Sequence, residues 1–240
     1  MSIALVQSKL GGNGTASATS VTSSAVGYTS NTTSGNLLVL IAWARKNTST
    51  GGNVPSIGTP ATSGITWVLA KGNNYDAATT DGFTGAVAIY YVANAPSVSS
   101  ATTTSFTAAV AETGSFVCEF SLYEFSGVAV SSPLETTAGS NTGSSIPNAG
   151  NLITSFTDLL VTAYQGDGSS VTVGSGWTLS TNATTATPGQ AQYILNQGSG
   201  TKSCAFGSSS SGSWGASGAA FKQGGAAATG SSTGFSMIGF

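Results

Sequence analysis

The sequence predicts an all-β sandwich, and three observations carry that prediction. Short runs of β-branched and aromatic residues recur along the 240 residues, divided by clusters of Gly, Ser, Asn and Thr. No long segment shows 3.6-residue apolar periodicity with caps, and the helix formers Glu, Lys and Arg are scarce. The stretch LLVLIAWA, Leu37 to Ala44, is apolar at eight consecutive positions, the pattern of a strand covered on both faces.

The strands follow in order. Residues 2–7 (IALVQS) and 16–21 (ASATSV) open the chain, and 36–45 (NLLVLIAWAR) is the most apolar run. ITWVLA (65–70), GAVAIYYVAN (85–94), TTSFTAAV (103–110) and SFVCEFSLYEF (115–125) complete a first group, each bounded by turn residues. A second group holds LETTAGS (134–140), DLLVTAYQG (158–166), GWTLST (176–181), AQYILNQ (191–197), KSCAFG (202–207) and WGASGAAFK (214–222).

The second group echoes the first. Leu37 aligns with Leu159, Trp67 with Trp177, Tyr90 with Tyr193, Phe106 with Phe206 and Phe125 with Phe221, in the same order with shorter loops. Two architectures fit: two tandem small domains, or one jelly-roll β-sandwich whose related halves place strands in both sheets. The single sandwich over residues 1–222 is preferred, because a half of about 90 residues buries a thin core alone. No Pro-rich or charged linker divides the halves. Residues 223–240 read as a Gly/Ala/Ser-rich spacer ending in FSMIGF. Phe235, Met237, Ile238 and Phe240 are expected to dock on this sandwich or on a neighbour by adding to a sheet edge.

Composition narrows function. Only 6% of residues are charged, against roughly 25% in ordinary domains, while 40% are hydrophobic. A core therefore forms under a surface of Ser, Thr, Asn, Gln and Gly. Six basic residues and a net charge of −2 argue against nucleic acid and anionic membrane as partners. No histidine is present, so Ser-His-Asp and His-metal chemistry are excluded. Cys118 and Cys204 lie in apolar surroundings and read as buried thiols, with a disulfide left open. The start of the chain has no basic segment followed by a long apolar run, so no export signal is expected.

The acids are Asp76, Asp81, Glu112, Glu119, Glu124, Glu135, Asp158 and Asp167. Glu119 and Glu124 share a strand at an odd spacing of five, so they point to opposite faces about 16 Å apart. Glycosidase pairs need about 5–9.5 Å, so no catalytic residue is assigned. Loops around Asp76, Asp81 and Asp167 offer oxygen ligands without matching a calcium loop, and no metal or cofactor is expected. Trp43, Trp67, Trp177 and Trp214 are read as core residues first and as a glycan platform second.

In 36–45, Leu37, Val39, Ile41 and Trp43 should fill the core. Leu38, Leu40, Ala42 and Ala44 need a second cover, and Tyr90 and Val92 in the neighbouring run pose the same problem. A neighbouring subunit or the C-terminal tail is the expected cover. Leu38, Leu40, Tyr90, Val92, Phe235, Met237, Ile238 and Phe240 are thus the candidate interface.

The phrases SGNLLVLIAWA, ITWVLA, AIYYVANA, SLYEFSGVAVSSPLE and NAG…TDLLVTAYQG…SGWTLS resemble the jelly-roll, concanavalin A-like sandwich proteins of bacteriophage virions and bacterial surfaces. The likeness spans about Val21 to Lys222 and brings no catalytic residues. It implies a structural or binding role. The expectation is a virion protein made in the host cytoplasm and carried on the outer surface of the particle, as a capsid decoration (cement) or head-surface protein. Its partners would be copies of itself (as a trimer) and the major capsid protein or other virion proteins. The alternative is a tail-fibre or adhesin-like module that binds glycan.

Overall fold

A computed structural model describes residues 1–49, 51–142, 145–166, 171–182, 189–210 and 212–225. The described residues form strands and no helix. In the first half they are β1 (Ala4–Leu10), β2 (Gly14–Thr22), β3 (Val26–Gly27), β4 (Leu37–Asn47), β5 (Ser56–Ile57), β6 (Ala61–Thr62), β7 (Val68–Ala77), β8 (Phe83–Val92), β9 (Thr103–Ser105) and β10 (Thr107–Ser126). In the second they are β11 (Leu134–Thr142), β12 (Asn148–Thr154), β13 (Asp158–Gly166), β14 (Thr178–Asn182), β15 (Gly189–Gln197), β16 (Gly200–Ala205) and β17 (Trp214–Lys222).

The all-β sandwich is found, but the strands are distributed differently from expectation. The first half forms its own antiparallel sheet in the order β1-β10-β4-β8-β7, with β2 and β5 also on β10. The second half forms another, β11-β17-β13-β15-β14. The two orders match strand for strand, so neither half lends a strand to the other's main sheet. Each half adds a small outer sheet, β3-β9-β6 in the first and β12-β16 in the second.

The main sheets meet face to face. Leu37, Val39, Ile41, Trp43, Val87, Ile89, Tyr123 and Phe125 pack there against Leu159, Val161, Ala163, Ala191, Ala219 and Phe221. Tyr91 meets Phe221 at 5.3 Å between ring centroids, and Tyr193 meets Phe125 at 5.9 Å. Register makes Tyr91 the counterpart of Tyr193: Val39 stands opposite Tyr91, and Val161 opposite Tyr193. The echo read from the sequence was therefore one residue off at Tyr90. The two ring pairs are images of one contact under a pseudo-twofold, as in an isologous dimer fused into one chain.

The second face of β4 is covered by the chain itself. Leu38, Leu40, Ala42 and Ala44 are buried with Tyr90 and Val92 under Val21, Tyr28, Trp67, Ala95 and Phe106. Val21 comes from β2 and the other four from the segments that follow β3, β6, β8 and β9, and together they form a third layer. Burying each large apolar group stabilises by about 1.5–3 kcal/mol, so a self-made cap is a large gain. The second half does the same: Leu160 and Tyr164 lie beneath Val171, Trp177, Cys204 and Phe206. The outer faces of the two halves are alike in that each is capped by its own chain.

Candidate functional site

Four of the predicted interface residues, Leu38, Leu40, Tyr90 and Val92, are covered by the chain itself. Leu38 and Leu40 have no exposed surface, and Tyr90 and Val92 are buried beside them. The cap supplied by this chain leaves nothing there for a neighbour to cover. Phe235, Met237, Ile238 and Phe240 lie outside the described residues, as does Asp167.

All four tryptophans are buried, which removes them as a sugar-stacking surface. The Trp43 indole donates to the Tyr164 carbonyl at 3.0 Å, Trp67 to the Thr62 hydroxyl at 2.9 Å and Trp177 to the Ser203 carbonyl at 3.2 Å. Both cysteines are free and buried, and burial pushes each thiol up to about 12. They act as small apolar groups.

Asp76, Asp81 and Glu124 hold local structure. Asp76 accepts from the Gly52 and Ala78 amides, and Asp81 from the Ser213 amide, so both tie loops together. Glu119 and Glu124 are buried and point to opposite faces of β10, as the odd spacing requires. Glu124 is caged by neutral donors: the Gln7 amide at 2.6 Å, the Thr33 N–H at 2.7 Å and the Asn36 amide at 2.6 Å. Its carboxylate thereby pins β1 to the loop that leads into β4.

A carboxyl pair was missed in the sequence. Glu135 sits where the β11 register shifts, between Leu134 and Thr136, and such a bulge re-aims its side chain. It reaches Asp158, which is fully buried at the start of β13, with Thr154 and Lys222 alongside. Burial first, and then the Glu135 carboxylate, push Asp158 up to about 7. The echo held a usable signal. Asn36 and Asp158 occupy the same place before the paired leucines, and each faces a carboxylate. In the first half the facing group is an amide that donates to the carboxylate; in the second it is another carboxyl group.

The consequence is a pH dependence. The unfolded Asp158 carboxyl titrates near ~3.9, and the native one at about 7. Between those values the native state binds the extra proton, so stability falls as pH rises across the window and then levels off. Thermal denaturation should give a lower Tm at pH 8 than at pH 5. Asp158→Asn should flatten that difference and raise Tm at pH 8. An unchanged slope in the variant would contradict the assignment.

Two surface features remain. The first is a matched pair of exposed leucines. Leu69 stands opposite Tyr90 on the β7 edge of its sheet, and Leu179 opposite Gln192 on the β14 edge. They are 51% and 47% exposed, each two residues after a capping tryptophan, at equivalent positions of the halves. The second is a groove of about 580 Å3 at the root of the C-terminal tail. Met1, Asn36, Val128, Val130, Gly224 and Gly225 are among its lining residues, and no side chain that lines it is charged. No cluster of three or more metal-ligating side chains occurs among the described residues.

No family model matches the chain, and neither a curated protein nor a solved structure matches it.

Proposed function

We propose that this chain is a structural protein of a bacteriophage particle, a capsid decoration (cement) or head-surface protein that works by contact rather than by chemistry. The observation that carries the reading is the duplicated leucine, Leu69 and Leu179, exposed at equivalent edge positions of a charge-poor sandwich. Repeated apolar contacts on a rigid body suit a protein that bridges repeated subunits. Burial of such contacts desolvates no ions and depends little on salt. The strand order of each half adds support. Its first strand lies beside its last, and the last beside the central strand, an order compatible with the proposed jelly-roll relationship. The self-association expected from the sequence moves, on this reading, from the buried face of β4 to the β7 and β14 edges.

The test is the protein inventory of purified particles from the host that carries this chain. Peptides of the chain are expected in the particle, and their absence overturns the reading.

A further inference from the structure

We propose that the apolar end of the chain, Phe235, Met237, Ile238 and Phe240, folds back into the groove at the root of its own tail. The groove begins where the described chain ends. The Gly224 amide donates to the Gly127 carbonyl at 2.8 Å, and Gly224 and Gly225 form part of the wall. The described chain thus ends in the wall of the groove.

The rim is apolar. Met1 is 83% exposed and Val130 54%. Phe156, 55% exposed, flanks the same root: the Lys222 ammonium lies 5.8 Å from its ring, and the Gln223 amide donates to the Thr157 carbonyl. Three large apolar groups left open around one point of exit call for a cover. The tail supplies it, since residues 223–240 carry no charge and concentrate their large apolar groups in FSMIGF. A groove of about 580 Å3 falls within the ~300–1,000 Å3 range of pockets that enclose small ligands.

The spacer has the right length. Residues 226–234 are small or polar, AAATGSSTG, and by composition and length nine such residues can span roughly 16 Å on average and about 30 Å at full stretch. That allows a return to the root at little cost. Tethering places the segment at an effective concentration of about millimolar, far above that of a neighbouring copy in dilute solution. The occupant is therefore the chain's own end. The proposal is independent of whether the protein belongs to a virion.

The test uses the full chain with Val130→Cys and Ile238→Cys, oxidised at micromolar concentration and read by non-reducing mass spectrometry. Cys118 and Cys204 are buried and stay out of the reaction. An intrachain disulfide in the monomer is expected, with little when Thr80→Cys replaces Val130→Cys. Equal yields at the two positions, no bond, or bonds only between chains would overturn the proposal, the last assigning the groove to a second copy. A second readout needs no cysteine. Phe235→Ser with Phe240→Ser should raise hydrogen exchange across residues 126–131 by about tenfold or more, and unchanged exchange would overturn it.

Discussion

Trp43→Ala lowers the free energy of unfolding by about 3–5 kcal/mol, read by urea denaturation. Trp43 has no exposed surface and ends the inward row of β4, where the two main sheets face each other. Its indole fills the space above Gly189, where even a Cβ would come within 2.6 Å of the ring. Its N–H also satisfies the Tyr164 carbonyl across the sheets. Truncation removes the packing of one half on the other and leaves a buried acceptor without its donor. A loss below about 1 kcal/mol would mean that the halves are not held together through this residue.

Glu124→Ala lowers stability by a comparable amount, about 3–5 kcal/mol, for a different reason. The carboxylate is fully buried and receives the Gln7, Thr33 and Asn36 donors. Hydrogen bonds to a charged group contribute about 1.5–3 kcal/mol each, and the buried Asn36 donor stripped of its acceptor costs about 1–3 kcal/mol, while the less buried Gln7 and Thr33 donors turn to water. Glu124→Gln keeps the shape but turns an amide toward donors, so about 1–3 kcal/mol is expected. The same variants should raise hydrogen exchange over residues 30–36, which the carboxylate ties to β1. A stable Glu124→Ala protein would contradict the cage.

The central strands were legible because their chemistry is local. LLVLIAWAR and DLLVTAYQG are long apolar runs, and β4 and β13 lie on them. Trp67 with Trp177 and Phe106 with Phe206 also fell into place, all four in the outer caps. What covers the second face was not legible. The cap is assembled from scattered single residues such as Val21, Tyr28 and Phe106, set among Ser, Thr and Gly, and no window of sequence shows them together. The far part of β7, KGNNYDA, reads as a loop yet is a strand. Its polarity is used. The Asn73 amide donates to the Ser140 and Ala216 carbonyls and the Asn141 amide to the Asn74 carbonyl, stitching the sheet edges. The Glu135 and Asp158 pair needed the order β11-β17-β13, which no spacing reveals.

In the proposed function, the chain stabilises a particle by apolar contact through the edges that carry Leu69 and Leu179. The measurement that tests it most directly is quantitative mass spectrometry of purified particles, made with the natural chain and with Leu69→Ser combined with Leu179→Ser. The account predicts a fixed ratio of this chain to the major shell protein, and loss of the variant from particles although its Tm is unchanged. Particles without the chain, or with both forms at equal ratio, would contradict it.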